Sequence, residues 1–319
     1  MNIGFTSYWF YGDAERLIST HDARGLYFIN NFLDIYSSAG EVFELFFRCE
    51  PAEEYPFLFD CPFISCTEED MAETDMSHEY IEEKTRGGEY ILAFINRSYI
   101  GHYSGFIGAH QMMVTGFDRA RDEVIFCDND RTGRYSSDMR CPYDEFIRGY
   151  NHVRNLYSKE SKWLSKVFLL KGKPCGGYSL DRGAIAASLK SYSEGRNGKG
   201  TSIRYTYDGI NCYEALTDNL ALPYDDCMRG LHMGAYSVLR EHKAVMALAC
   251  AEAAREYGIS PEYAAECQSI MRSIGTAENL VVMYVVSEGA RQAARASDSL
   301  KSALERERSL TEKLIKELK

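Results

Sequence analysis

Between residues 89 and 142 the apolar residues come in short runs that alternate with polar ones and are interrupted by Gly, Asp and Asn. GEYILAFINRSYI, HQMMVTGFD, EVIFCDND and RYSSDMRC therefore predict successive β-strands joined by turns. CPYDEFIRGYNHVRN predicts a short helix and WLSKVFLLKG a closing strand. Upstream, residues 20–37 predict a helix with Thr20 or Asp22 as cap and Leu26, Ile29, Phe32 or Leu33, and Tyr36 along one face. Residues 67–86 (TEEDMAETDMSHEYIEEKTR) read as a polar helix that stops at Gly87 and Gly88.

KGKPCGG, residues 171–177, is a linker candidate, and beyond it the texture changes. Residues 180–193 and 208–220 predict helices around a Gly-rich loop, and from 224 onward nearly everything has helical period. The expected fold class is α+β: a first domain over 1–172 containing an antiparallel sheet, and an α-helical second domain over 178–319. Leu300, Leu304, Leu310, Leu314 and Leu318 make the terminal stretch an amphipathic helix, packed internally or against a second subunit, so a homodimer stays open.

Composition narrows the function classes. The chain has 319 residues, 45% hydrophobic and 26% charged, as expected of a globular protein. No run approaches 18 uninterrupted apolar residues, and the N-terminus lacks a basic region followed by an apolar one; the expected location is cytoplasmic, without membrane contact. Ten cysteines at irregular spacing form no CxxC pair and no zinc-type cluster, so neither a disulfide framework nor a structural metal is expected. The net charge of −11 argues against nucleic acid. Charge is nonetheless uneven: residues 1–95 hold 5 Lys/Arg against 19 Asp/Glu, and residues 151–204 hold 11 against 3. That basic island is either a solvated surface or a docking face for an acidic partner.

The chemistry centres on His110 and Asp128. His110 opens one predicted strand and Asp128 closes the next, 18 positions later, so a hairpin brings them to one end of a sheet. A carboxylate there would orient an imidazole as a general base. Tyr99, His102 and Tyr103 precede the His110 strand in a Gly-rich loop that would line a pocket or simply turn at the surface. Asn129 and Asp130 are alternative orienters. Arg229, His232 and Tyr236, at spacings of three and four, would share a face of one long helix.

The run GAHQMMVTGFDRARDEVIFCDND resembles the His-to-Asp hairpin of papain-like enzymes such as the peptidase domains of bacteriocin exporters. Within that group the layout, with LHMGAYSVLREHKAVM in the second half, is similar to the butirosin-type family of acyl or peptidyl transferases, relatives of an amide-forming enzyme of closthioamide assembly. The resemblance implies a papain-like N-terminal domain, His110 as base and Asp128 as its orienting carboxylate. It also implies a Cys nucleophile at the start of the first long helix, where this chain has Ser19, Thr20, His21 and Asp22; the first cysteine is Cys49. Ser19 or Thr20 would have to supply a hydroxyl, or a distant thiol such as Cys66 would have to reach the site. Otherwise His110 acts alone, helping an amine attack an activated acyl group, or does no chemistry.

The expected activity is amide formation between an acyl thioester carried by an acyl or peptidyl carrier protein and a small amine, in peptide natural-product assembly. A phosphopantetheine arm would enter as substrate, with no cofactor or metal. His21, Tyr99, Tyr103, Arg229 and His232 are the substrate-binding candidates. A non-catalytic carrier- or peptide-binding scaffold of the same fold is the alternative; a cysteine peptidase would need a reactive thiol.

Overall fold

The computed structural model describes residues 3–19, 24–38, 44–48, 61–103, 108–130, 133–157, 164–195 and 205–319. The chain is mixed α/β, with ten α-helices and two antiparallel sheets among the described residues. It divides into two compact units, residues 4–21 with 58–176 and residues 1–3 with 22–57 and 177–319. Residues 22–57 thus gather with the helix-rich half of the chain.

The sheet unit begins with α1 (Trp9–Leu17), and its six strands are β3 (Ile64–Asp70), β4 (Tyr90–Asn96), β5 (Ala109–Asp118), β6 (Glu123–Asn129), β7 (Tyr135–Pro142) and β8 (Lys166–Gly172), in the order β3-β8-β4-β5-β6-β7. The central strand β4 is buried along most of its length. Its residues Ile91, Ala93 and Ile95 join Met112, Val114 and Phe126 in a core closed by α3 (His78–Arg86) and α4 (Tyr143–Tyr157). Ser77 caps α3 by accepting from the Tyr80 amide at 3.3 Å. Tyr150 ties α4 down, its hydroxyl donating to the Met71 and Thr74 carbonyls, each at 3.2 Å. α1 packs against β6, β7 and β8. Gly12 permits this approach: a Cβ there would stand 2.4 Å from the Tyr135 ring.

Residues 64–70 form a strand, where helical texture had been expected from residue 67 on. Among the described residues β3 is an edge strand paired only with β8, and the acids of ISCTEED give that edge the charge that discourages further pairing. The helix of this region covers only the nine residues of α3.

In the other unit, α2 (Arg24–Asn31) is shorter than the expected span, because the chain turns into β1 (Ile35–Ser38). With β2 (Leu45–Phe47) and β9 (Tyr205–Asp208), β1 makes a three-stranded antiparallel sheet, order β2-β1-β9, where helices alone had been expected beyond residue 178. The helices are α5 (Arg182–Glu194), α6 (Cys212–Leu220), α7 (Tyr224–Gly230), α8 (Met233–Tyr257), α9 (Glu262–Ser287) and α10 (Ala290–Leu318). Arg48 lies between Asp34 at 3.2 Å and Asp208 at 2.7 Å, all buried. Lys243 pairs with Glu307, which also accepts from Tyr192 at 2.7 Å and Tyr213 at 2.5 Å; both ion-pair side chains are fully buried. The apolar face of α10, with Leu300, Leu310, Leu314 and Leu318, is buried within the chain. Among the described residues no helix is long and apolar enough to cross a membrane.

Candidate active site

Strand pairing sets the site. His110 lies opposite Ile95 of β4, and Met113 opposite Cys127 of β6, so the two strands bring His110 and Asp128 to the same sheet end. Side chains alternate along a strand, so His110, Met112, Phe126 and Asp128 share the face that carries the α3/α4 core, whereas Cys127 and Asn129 point to the opposite face. Cys127 and Arg16 of α1 interact electrostatically. Asn129 donates to the Ser7 carbonyl at 3.1 Å, just before α1.

The His110 ring is partly exposed, with 27% of its side chain open, and Asp128 is completely buried. His110 Nδ1 lies 2.9 Å from the Gln111 carbonyl and 3.3 Å from Asp128 Oδ1. Both neighbours are acceptors, which assigns the proton of the neutral ring to Nδ1 and the lone pair to Nε2.

Three more groups hold Asp128. Its Oδ1 accepts from the Asn129 amide at 2.7 Å, and its Oδ2 from the Tyr103 hydroxyl at 2.9 Å and from Arg97 Nη1 at 3.2 Å. The Arg97 guanidinium also stands over the Tyr103 ring, 4.9 Å from its centre. Burial, reinforced by the Asp128 charge, pushes the Tyr103 phenol above its usual range and keeps it a donor. Arg97 follows β4 directly, and the loop after it is anchored by the Gly101 amide donating to Glu145 of α4 at 2.8 Å. A second carboxyl, Asp13 of α1, accepts from Tyr135 at 2.8 Å. Its pKa is raised well above the usual range by burial, which the Tyr135 hydrogen bond partly offsets and the Asp128 charge increases.

The remaining expected residues are scattered. Ser19 is exposed in the turn after α1, its amide donating to the Arg16 carbonyl at 3.2 Å, and so follows a helix end. Thr20 and His21 lie outside the described residues. Tyr99 is at the surface, its hydroxyl 3.1 Å from His152 Nδ1, while Tyr103 is buried on Asp128. Asn129 turns to Ser7, and Asp130 holds the Arg134 amide at 3.1 Å.

Arg229 and His232 do not share one helix. Arg229 is in the last turn of α7, paired with Asp226, and the chain is extended at Leu231 and His232 before α8 begins. His232 lies 4.0 Å from Glu44; burial lowers its imidazole pKa, and Glu44 partly offsets this.

Nor does Cys66 precede a helix. It is in β3, and burial with Glu68 nearby pushes its thiol up to about 11. Cys127 and Cys141, on β6 and β7, are pushed up to about 12 by burial. The cause in each case stabilises the thiol over the thiolate that would attack an acyl group.

Arg97 and Tyr103 are the residues the sequence placed least well. Arg97 has no motif to mark it, and Tyr103 reads as loop lining; the signal available is only that both lie in the Gly-rich segment leading into His110.

The fold and site together define a mixed α/β chain with an oriented imidazole at the end of an antiparallel sheet. No protein-family model matches the chain, and no curated protein matches it. Among the described residues, no group of three or more His, Cys, Asp or Glu side chains is arranged to hold a metal ion.

Proposed function

We propose that the sheet unit is a papain-like acyl-transfer domain that condenses a carrier-bound acyl thioester with an amine, using His110 as a general base. One observation carries the reading: Nδ1 of His110 is engaged by Gln111 and Asp128, so Nε2 is the basic atom of a partly exposed ring. In the reaction the amine nitrogen forms a bond to the thioester carbonyl carbon and gives a proton to Nε2. The C–S bond then breaks, and the departing thiolate takes that proton from the imidazolium. Thioester and amine become amide and thiol, with His110 restored. A thioester is already activated, so positioning and proton removal suffice without a covalent intermediate. The raised thiol pKa values of Cys66, Cys127 and Cys141 support a route in which none of these three thiols attacks the acyl group. Phosphopantetheine would arrive as the carrier's arm.

A second reading, a binding scaffold, draws support from Arg97 and Tyr103, which satisfy Asp128 whether or not His110 reacts. The two readings separate when the full chain is given an acyl-pantetheine thioester and an amine, with amide measured by mass spectrometry. Base catalysis predicts that His110→Ala slows amide formation by about 10²-fold or more. Equal rates in the variant and the parent would remove the catalytic reading and leave the scaffold.

A further inference from the structure

A completely buried carboxylate needs a positive partner, and the sheet end offers Asp128 two of them. One is the Arg97 guanidinium, 3.2 Å from Oδ2. The other is the His110 ring, 3.3 Å from Oδ1, which is positive only when it is protonated. The two are not equivalent: a guanidinium is charged throughout the working pH range, whereas an imidazole gains or loses its charge around neutrality.

Arg97 is also held in place. Its side chain is 15% exposed, its guanidinium stands over the Tyr103 ring, and the Tyr103 hydroxyl donates to the same Asp128 oxygen. The other titratable groups at this end do not take over its work. Asp13, on the opposite face of the sheet, is buried in a way that favours its neutral form, and the Asp128 charge adds to that preference. Asp130 accepts the Arg134 amide, and His102, beside Tyr103, is exposed.

We infer that Arg97 is a positioning residue for proton transfer: it supplies the permanent positive charge that buried Asp128 requires, and so leaves His110 an unprotonated ring able to accept a proton at Nε2. This role rests on His110 acting as a general base, and it adds what keeps that base in its reactive form. Without Arg97, Asp128 would draw its compensating charge from the ring. His110 would then already hold the proton it has to take from the amine.

The test follows, by NMR of the full chain between about pH 5 and pH 9, the imidazole signal that His110→Ala lacks. Arg97→Gln should raise the pH at which the ring takes up its proton by about one unit or more. Arg97→Lys, which keeps the charge, should bring that midpoint most of the way back. Asp128→Asn supplies an arm in which no unpaired carboxylate is buried: adding Arg97→Gln to it should again raise the midpoint, because a positive neighbour of the ring has gone. With an acyl-pantetheine thioester and an amine, the rate of amide formation in Arg97→Gln should shift to higher pH along with the NMR midpoint and recover there. A midpoint unchanged or lowered in Arg97→Gln overturns the role, as does Arg97→Lys behaving like Arg97→Gln. So does a loss of rate that is equal at every pH, which is what a purely structural residue would give. The NMR arms need no turnover, so midpoints that shift as expected in a chain that forms no amide discard the acyl-transfer reading and keep Arg97 as the residue that holds the ring unprotonated.

Discussion

His110 and Asp128 differ in what surrounds them. The carboxylate is sealed in and held by Tyr103, Arg97 and a backbone amide, whereas the imidazole is partly exposed; in the proposed reaction the first fixes direction and the second exchanges protons. The proximity of the two was legible in the sequence, because apolar runs between turn residues located both strands and the spacing located both ends. Its supports were not, since Arg97 and Tyr103 reach Asp128 through a loop whose path no periodicity records. Cys66 illustrates the reverse error: FISCTEED looks like the approach to a helix, yet its thiol is in an edge strand. From its pKa near 11, in place of the usual 9, alkylation of Cys66 by iodoacetamide at pH 8 should be about 100-fold slower than that of an unperturbed thiol. Burial favours the neutral form, so the rate should keep climbing to about pH 11. Peptide mapping of the alkylated chain checks this, and a rate that levels off below pH 8 would restore Cys66 as a candidate nucleophile.

At the scale of elements, strands β4 to β7 were readable because each is a run of seven to ten residues rich in strand formers between clear turns. The elements that were misread are short or locally ambiguous. β1, β2 and β9 have three or four residues each, too few to establish a period. The break at Leu231 and His232 passes unnoticed because Arg229, His232 and Tyr236 keep helical spacing across it. Packing between α8 and α10 also rests on an ion pair that no local pattern announces. Lys243 and Glu307 are completely buried, and Glu307 further accepts from Tyr192 and Tyr213. Removing one member leaves an uncompensated buried charge, so Glu307→Gln should cost about 3–5 kcal/mol. Combining it with Lys243→Met should cost less than the two changes added together, by about 1–3 kcal/mol. Urea midpoints of the four chains measure both quantities; strict additivity would mean the pair is not coupled.

For the whole molecule, the sequence divided the chain by texture, and the structure divides it by contact. Residues 22–57 lie with residues 177–319, an association set by non-local partners such as Arg48 with Asp208, which no local pattern reveals. The sheet unit, with His110, is assembled from residues 4–21 and 58–176. In the proposed reaction this unit activates an amine through His110 with no acyl group ever bonded to the protein. Intact mass spectrometry of the full chain, sampled through a single turnover with an acyl-pantetheine thioester and an amine, tests it most directly. Amide should accumulate while the protein mass stays unchanged, and should fall away in His110→Ala. An acyl adduct on the chain, or amide formed equally without His110, would contradict it.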